Sequence, residues 1–111
     1  MSRQVTLGGS TYLCYTFSME PREIRVRFPP SPTGLLHIGN IRTFVFNWLF
    51  AQQNKGKIVL RMEDTDKARS EKRFEDAIIK DLEWLRLSWD EFYRQSERTE
   101  IYKKYLQQLL D

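Results

Sequence analysis

The feature that most constrains the fold is a succession of strand, helix and strand between residues 24 and 62. Residues 24–28 alternate apolar and arginine side chains, the period of two that is typical of a strand with one buried face. Residues 57–62 predict a second strand, and a strongly apolar run between the two predicts a buried helix that ends near Asn54. The helix positions are Ile41, Phe44, Val45, Trp48, Leu49 and Ala51, with Phe46 and Phe50 on the other side. Such an α/β unit is right-handed with parallel strands, so ligands are expected at the carboxyl ends of the strands.

Three prolines in the segment PPSPTG separate the first strand from the helix. Pro29, Pro30 and Pro32 lack backbone donors and restrict the residues before them, so the strand has to end at Phe28. Gly34 then permits a turn. The sequence therefore predicts a stiffened loop that delivers the next residues to the start of the helix.

The second half of the chain predicts two more helices. Ser70 has the side chain of an N-cap for a helix that covers the sheet, and residues 88–95 then connect to a last amphipathic helix, Glu97 to Leu110. The apolar positions are Phe74, Ala77, Ile78, Leu82 and Leu85 in the first helix, and Ile101, Tyr102, Tyr105, Leu106 and Leu109 in the second. The chain stops at Asp111, directly after two leucines, which predicts a truncated domain that lacks the partner surface of the last helix.

Composition bounds the class of protein. The 111 residues are 41% hydrophobic with a net charge of +3, which fits one small, mildly basic globular domain and permits a nucleic-acid partner without requiring one. The single cysteine, Cys14, cannot form an internal disulfide, and it has no Cys or His neighbours at the spacing of a zinc site. No apolar run approaches the roughly 18 residues of a membrane span. The sequence predicts a cytoplasmic protein without a membrane partner.

Residues 1–22 differ in character from the rest of the chain. They hold a Gly-Gly-Ser break, no recognisable period and no motif. They are predicted to be an extension, either a natural appendage or the product of translation that begins upstream of Met19. Residues 23–111 then form the α/β domain.

The proline-containing loop brings His37 and Asn40 to the start of the predicted buried helix, directly after a strand. At such a position backbone N–H groups and the helix dipole favour phosphate, and an imidazole can donate to charge developing on a phosphorus oxygen. Gly34 and Gly39 allow a ligand to approach the backbone closely, since a Cβ would obstruct it. The pattern indicates phosphoryl chemistry, and the alternative is a histidine that only caps the helix.

A second polar group, RMEDTDKAR, follows the second strand and so emerges at the same edge of the sheet. Glu63, Asp64 and Asp66 can contact an ammonium group, a ribose or a metal, or alternatively form a solvated turn that caps the next helix. Arg27, at the end of the first strand, can clamp a carboxylate in two hydrogen bonds or form an ordinary surface ion pair. Together they predict a ligand with a carboxylate and an amine between Arg27 and Glu63, with nucleotide phosphates over His37.

Motif order adds a resemblance to a known family. RFPPSPTGLLHIGNIRT, LRMEDTDKARS, LEWLRLSWDE and YRQSER follow one another as in bacterial-type glutamate-tRNA synthetases, which are class I aminoacyl-tRNA synthetases. The likeness covers about residues 24–110 and is specific, because SPTG with HIG and EDTD distinguishes this group whereas a lone H-x-G would not. It implies the first half of a Rossmann-like nucleotide-binding fold. In the family signature His-Ile-Gly-His the last position is here Asn40, which would have to carry any role of the second histidine.

The resemblance implies roles for individual residues. Arg27 would pair with the side-chain carboxylate of glutamate, Ser31 would contact the bound amino acid, and Glu63 would accept its ammonium group. The residues implied for ATP are Pro30, Ser31, Pro32, Thr33, Gly34, His37, Gly39 and Asn40, of which His37 and Asn40 would be catalytic. No residue of the chain is implied as a metal ligand.

The implied reaction uses ATP with Mg²⁺ and has two steps. The α-carboxylate of glutamate attacks the α-phosphorus of Mg-ATP, which gives glutamyl-adenylate and pyrophosphate. A terminal ribose hydroxyl of tRNA(Glu) then takes the glutamyl group, with Thr65, Asp66 and Arg69 near the acceptor end of the tRNA. Catalysis would rest on positioning and on electrostatic stabilisation of charge on phosphorus oxygens. The full-length protein is expected to be a monomer.

Two features of proteins in this family do not occur in the sequence. They are a loop of the Lys-Met-Ser-Lys-Ser type and an anticodon-binding domain. The connector at residues 89–95 is also shorter than in many relatives. Three rival interpretations stay open. They are a glutamyl-queuosine tRNA synthetase built from the catalytic domain alone, a small-molecule nucleotidylyltransferase that shares the histidine loop, and a non-catalytic fragment that only binds nucleotide, tRNA or a protein.

Overall fold

The computed structural model describes residues 2–7, 10–15 and 23–110. Near the N-terminus, β1 (Ser2–Leu7) and β2 (Ser10–Tyr15) pair as an antiparallel hairpin. The predicted extension therefore contains two strands in a stretch whose sequence shows no period. The remainder of that extension, at residues 1, 8–9 and 16–22, lies outside the described residues, and its separate origin stays a prediction.

Three parallel strands form the sheet of the main body. They are β3 (Arg25–Phe28), β4 (Lys57–Met62) and β5 (Glu91–Arg94). The other elements are α1 (Ile38–Gln53) between β3 and β4, α2 (Lys72–Trp84) between β4 and β5, a short 3-10 turn (Ser96–Arg98) and α3 (Thr99–Leu110). The order β3-β4-β5 places β4 at the centre, parallel to both of its neighbours. The α/β unit predicted from residues 24–62 is confirmed.

The hydrophobic core lies on one face of this sheet. Ile58, Leu60 and Met62, alternate residues of β4, are fully buried in it. The ring of Phe44 in α1 stacks on that of Phe28 in β3 with the centroids 4.7 Å apart. The other members of the core are Ala51 of α1, Ile78 and Leu82 of α2, and Leu87. Both connecting helices therefore pack on the same face of the sheet.

The opposite face of the sheet is polar. Because successive side chains of a strand point to opposite faces, Arg25 and Arg27 of β3 and Arg61 of β4 lie on this side. Arg25 reaches across the central strand to Glu91, with its Nη2 at 2.7 and 2.5 Å from the two carboxylate oxygens. The Tyr93 hydroxyl donates to the same carboxylate at 2.6 Å. The three strands are thus tied together by charged groups on the side away from the core.

Helix α1 is less buried than its composition predicts. Phe44 and Ala51 are fully buried, and Ile41, Val45 and Trp48 pack against the core. Three other apolar positions are exposed, Phe46 by 61%, Leu49 by 52% and Phe50 by 51%. The prediction of a helix buried on all sides is wrong for the part of the chain that the structure describes. The reason is that α1 covers one face of a single sheet, and such a helix buries one stripe.

Helices α1 and α2 end in the same backbone geometry. After α1, Lys55 has a left-handed φ of 52°, and the Gly56 N–H donates to the Ala51 carbonyl at 2.8 Å. Arg86 has the corresponding φ of 57° after α2. This is the Schellman motif, in which the residue after the cap is usually glycine. The predicted stop near Asn54 is confirmed, but the left-handed position is taken by a lysine rather than by the glycine next to it.

Two boundaries differ from the prediction. The N-cap of α2 is Glu71 and not Ser70, whose buried hydroxyl has no hydrogen-bond partner among the described residues. The stretch 88–95, predicted as a connector, contains β5. The Asp90 N–H donates to the Ile58 carbonyl at 2.9 Å, and its carboxylate accepts from the Ile58 N–H at 2.8 Å, which begins the pairing with β4. The residues of this edge strand, Glu-Phe-Tyr-Arg, show no apolar alternation by which a sequence pattern could find it.

Helix α3 contributes nothing to the core. Its predicted apolar face is exposed, with Leu106 at 57% and Leu109 at 84%, and none of its described residues is buried. The predicted helix from Glu97 begins instead as the 3-10 turn and becomes α-helical at Thr99. Among the described residues, no helix is both long enough and apolar enough to cross a membrane.

Candidate active site

The loops that follow β3 and β4 are bonded to each other at the carboxyl edge of the sheet. The Glu63 N–H donates to the Pro30 carbonyl at 2.9 Å, which extends the pairing of the two strands past their ends. The Glu71 N–H donates to the Pro32 carbonyl at 3.0 Å, which attaches the same loop to the start of α2. The proline loop and the acidic segment therefore emerge side by side, as their order in the sequence predicts.

A cavity of about 440 Å³ lies between the proline loop and the start of α1. The predicted site residues that line it are Pro30, Ser31, Thr33, Gly34, His37 and Asn40. Of the other two, Pro32 is buried within the loop, and Gly39 lies in the first turn of the helix. Six of the eight residues implied for nucleotide binding thus surround one opening.

His37 is the N-cap of α1, with φ −123° and ψ 167°. Its Nδ1 accepts a hydrogen bond from the Gly39 N–H at 3.1 Å. Because Nδ1 is the acceptor, the neutral ring carries its proton on Nε2, which becomes a donor for a ligand. The capping role and the site role, given above as alternatives, are therefore compatible, since one ring nitrogen caps the helix and the other stays available.

Asn40 supplies the second half of the cap. Its Oδ1 accepts from the His37 N–H at 3.3 Å, so the two residues form a reciprocal capping box. The same residue lines the cavity, where the amide NH₂ is left as a donor. An asparagine at this position therefore fixes the histidine backbone and can also contact a ligand.

Alanine at position 39 is expected to displace the His37 ring. A Cβ there would lie 2.8 Å from Cε1 and 3.0 Å from Nδ1 of His37, closer than real contacts allow. The ring can rotate away, so we expect a loss of stability of about 1 kcal/mol or less, the size of one lost cap. His37 is the single histidine of the chain, so its imidazole ¹⁵N signals report the lost Nδ1 hydrogen bond without ambiguity.

The matched control for this prediction is Gly34→Ala. A Cβ at Gly34 meets no atom within 4 Å, so the His37 signals should stay where they are. Unchanged His37 signals in Gly39→Ala would show that the glycine does not hold the ring. The open space at Gly34 also means that no part of the described chain requires glycine there.

Arg27 and Glu63 meet on the polar face of the sheet, directly below the two loops. The Arg27 Nη2 is 4.0 Å from the Glu63 Oε1. Arg61, two residues before Glu63 on the same strand face, is closer, with its Nη2 at 2.5 Å from the same oxygen. Arg61 is not among the residues predicted for the site, although its spacing of two from Glu63 in a predicted strand was the signal that could have found it.

The acidic residue directly after Glu63 is hydrogen-bonded to another part of the chain. Asp64 accepts hydrogen bonds from the Ser96 N–H at 2.9 Å and the Ser96 Oγ at 2.5 Å. Burial raises the pKa of Asp64, but the Ser96 hydrogen bonds outweigh it and leave the pKa below its usual value. Asp64 therefore fixes the start of the 3-10 turn, and its contact with an ammonium group, a ribose or a metal stays a prediction.

Asp66 and Arg69 pair with each other in the loop before α2. The Arg69 Nε donates to the Asp66 Oδ2 at 2.7 Å, and this hydrogen bond holds the pKa of the Asp66 carboxyl below its usual value. Thr65 beside them is exposed. These three predicted residues lie next to one another at the surface, on the segment that begins at Glu63.

One buried carboxylate was not predicted from the sequence. Glu75 of α2, 5% exposed, accepts from the Arg94 Nε at 3.0 Å and from the Arg94 Nη2 at 2.8 Å. Lys72 Nζ adds a third bond at 2.9 Å. Arg94 is the last residue of β5, so this pair fixes α2 to the carboxyl end of that strand.

Comparison with known proteins identifies the family. The pattern of tRNA synthetases class I (E and Q), catalytic domain, matches residues 23–111. The glutamate-tRNA ligase of Hydrogenobaculum sp. is 60% identical over 88 residues, which are 79% of this chain and 19% of that protein. The glutamate-tRNA ligase of Aquifex aeolicus is 56% identical over 89 residues, or 80% of this chain and 19% of that protein. The chain thus spans about a fifth of the length of the curated relatives it matches.

Solved structures agree with the sequences. The crystal structure of a glutamate-tRNA ligase from Elizabethkingia meningosepticum in complex with its amino acid superposes with a TM-score of 0.77 at 45% identity. The superposition covers 80% of this chain and 20% of the Elizabethkingia ligase chain. The three parallel strands match the start of the Rossmann-like fold of these enzymes. The chain therefore belongs to the class I tRNA synthetases of the E and Q group, and residues 23–111 lie in their catalytic domain.

Proposed function

We propose that the protein is a glutamate-tRNA ligase and that this chain carries the first part of its site for glutamate and ATP. The observation that carries the proposal is the arrangement at one sheet edge. Arg27 and Glu63 stand 4.0 Å apart there, next to the cavity at the capped start of α1. The relatives named above favour this activity over a glutamyl-queuosine tRNA synthetase, a nucleotidylyltransferase or a non-catalytic binding fragment.

Glutamate would be held by opposite charges placed side by side. The Arg27 guanidinium, 48% exposed, can donate two hydrogen bonds to the side-chain carboxylate. The Glu63 carboxylate can accept from the ammonium group, and the Ser31 hydroxyl at the cavity can contact the bound amino acid. A substrate that lacks either charge would leave one of these groups without its partner.

ATP would lie over the start of α1. The Nε2–H of His37 and the amide of Asn40 can donate to phosphate oxygens, and the helix N-terminus adds a favourable field. The α-carboxylate of glutamate attacks the α-phosphorus, the bond to the bridging oxygen breaks, and pyrophosphate leaves with its electron pair. The residues act by positioning the reactants and by stabilising charge on the phosphorus oxygens, which needs no covalent intermediate with the protein.

In the second step a terminal ribose hydroxyl of tRNA(Glu) attacks the carbonyl of glutamyl-adenylate, and AMP leaves. Thr65, Asp66 and Arg69 would lie near the acceptor end. Arg69 is suited to a phosphate contact because its side chain is 74% exposed and held in place by Asp66. We assign no protein ligand to Mg²⁺, because the family resemblance implies none. It would enter on the phosphates of ATP. The monomeric state and the cytoplasmic location of the whole protein stay predictions.

A chimera tests the activity of the segment. Residues 23–111 replace the matching 89 residues of the Aquifex aeolicus ligase, which supplies the remainder of the enzyme. We expect glutamate-dependent exchange of pyrophosphate into ATP within about tenfold of the parent enzyme, because differences outside the site cost little transition-state stabilisation. A chimera that folds and binds tRNA but shows no exchange would contradict the proposal.

The 111-residue chain by itself is the matching control. We expect its exchange rate to fall below about a thousandth of the chimera rate, since positioning and electrostatic stabilisation together supply most of the acceleration in such reactions. The described residues offer one wall of the site only. Exchange by the isolated chain at a rate near that of the chimera would show that the segment needs no further part of the enzyme.

A further inference from the structure

We propose that Arg61 is a positioning residue that holds Glu63 away from Arg27 and so keeps both groups open for the amino acid. This inference rests on the proposed function in one respect, the binding of a substrate with a carboxylate and an ammonium group by Arg27 and Glu63. Arg61 itself does not contact the substrate. It acts through the carboxylate of Glu63.

The distances show which arginine Glu63 pairs with in the absence of substrate. The Arg61 Nη2 donates to the Glu63 Oε1 at 2.5 Å, whereas the Arg27 Nη2 stays 4.0 Å from that same oxygen. The second value is beyond hydrogen-bond range. One carboxylate oxygen is therefore occupied by Arg61, and the other remains available for an ammonium group.

Burial favours the pair with Arg61. The side chain of Arg61 is 22% exposed and that of Arg27 is 48% exposed. The Arg61 Nε is buried and has no hydrogen-bond partner among the described residues. A guanidinium with a desolvated edge depends strongly on its remaining counter-ion, because an unpaired charge in such a place is costly. Glu63 is thus the anchor of Arg61, and Arg61 in turn sets the position of Glu63.

Without Arg61 the two substrate-binding groups would neutralise each other. Arg27 would be the nearest cation to Glu63, and rotation about the glutamate side chain can close 4.0 Å to a direct charge-assisted pair. Such a pair would occupy the guanidinium intended for the substrate carboxylate and the carboxylate intended for its ammonium group. Substrate binding would then have to break an ion pair first.

The first experiment uses the full 111-residue chain without ligand. In Arg61→Met, pairing with Glu63 should slow the rotation of the Arg27 guanidinium, so that its Nη hydrogens give separate NMR signals that are averaged in the wild type. Arg61→Lys, which keeps a donor for Glu63, should restore averaging.

Arg25→Met is the matched control, because Arg25 lies on the same face but pairs with Glu91. If Arg61→Met unfolds, Arg61→Leu, which also lacks a donor for Glu63, takes its place. Arg27 signals that stay averaged in the folded variant would overturn the proposal.

The second experiment titrates L-glutamate and glutarate, which lacks the ammonium group, into the chimera that carries residues 23–111 and into its variants, because the isolated chain offers only one wall of the site. Arg61→Met should weaken both ligands at least about tenfold, as expected when binding must break an ion pair. The double variant Arg61→Met with Glu63→Gln should recover glutarate but not glutamate, since it frees Arg27 and removes the ammonium acceptor. A role limited to folding would not give this selective recovery, and its absence would overturn the proposal. A folded wild-type chimera that binds neither ligand would instead refute the proposed glutamate site.

Discussion

Replacing Arg27 by alanine in the chimera is expected to raise the KM for glutamate about 100-fold and the KM for ATP less than about threefold. The guanidinium can give two charge-assisted hydrogen bonds, together about 3 kcal/mol, to the substrate carboxylate. At 1.4 kcal/mol for each factor of ten, this corresponds to roughly two powers of ten in affinity. ATP is expected to lie over His37, which does not contact Arg27. The measurement is pyrophosphate exchange at varied glutamate and at varied ATP.

Arg25→Ala is the matched control for this experiment. Arg25 lies two residues earlier on the same strand face with almost the same side-chain exposure, 49% against 48%, but its partner is Glu91. Loss of that charge should leave both KM values within about threefold of the chimera, as is usual for surface pairs. Equal losses for glutamate and ATP in Arg27→Ala, or equal losses in the two variants, would show that Arg27 is not the carboxylate clamp.

The sheet edge that carries Arg27 and Glu63, with His37 at the end of the adjoining loop, could be predicted because it follows from local patterns. The alternation in β3, the run of prolines and the apolar positions of α1 each occupy a short stretch of sequence. A parallel arrangement then brings the two strand ends together without any further information. The capping geometry of His37 could not be read in the same way, since it depends on which ring nitrogen meets the Gly39 N–H.

The contacts that sequence analysis missed join residues far apart in the chain or on a strand with no apolar pattern. Asp64 meets Ser96 across 32 positions, and Glu75 meets Arg94 across 19. Both contacts depend on β5, whose residues do not alternate, so neither could be anticipated before the strand itself was known. A charged residue in such a segment is normally taken as solvated, and only packing shows that it is paired.

Acid is expected to weaken the fold through Glu75. The hydrogen bonds from Arg94, which have the largest effect, and from Lys72 lower the pKa of this carboxyl from 4.5 to about 2, although burial raises it. Between these values the unfolded chain binds a proton that the folded chain does not, so stability is complete above pH 4.5 and falls as the pH drops towards 2. At about 1.4 kcal/mol for each pH unit, the loss from this group is about 3 kcal/mol. Urea unfolding followed by circular dichroism across this range measures it.

Glu75→Gln separates this contribution from those of the other carboxyl groups. The variant should be about 3 kcal/mol less stable than the wild type at pH 7, and the difference should shrink to about 0.5 kcal/mol near pH 2, where about half of the wild-type carboxyl groups carry a proton. Glu97→Gln is the control, because Glu97 also pairs with Arg94, at 3.1 Å, but its side chain is 63% exposed. It should change stability by less than about 1 kcal/mol at any pH. A difference between wild type and Glu75→Gln that stays constant from pH 7 to pH 2 would mean that the pair with Arg94 does not hold Glu75 ionised.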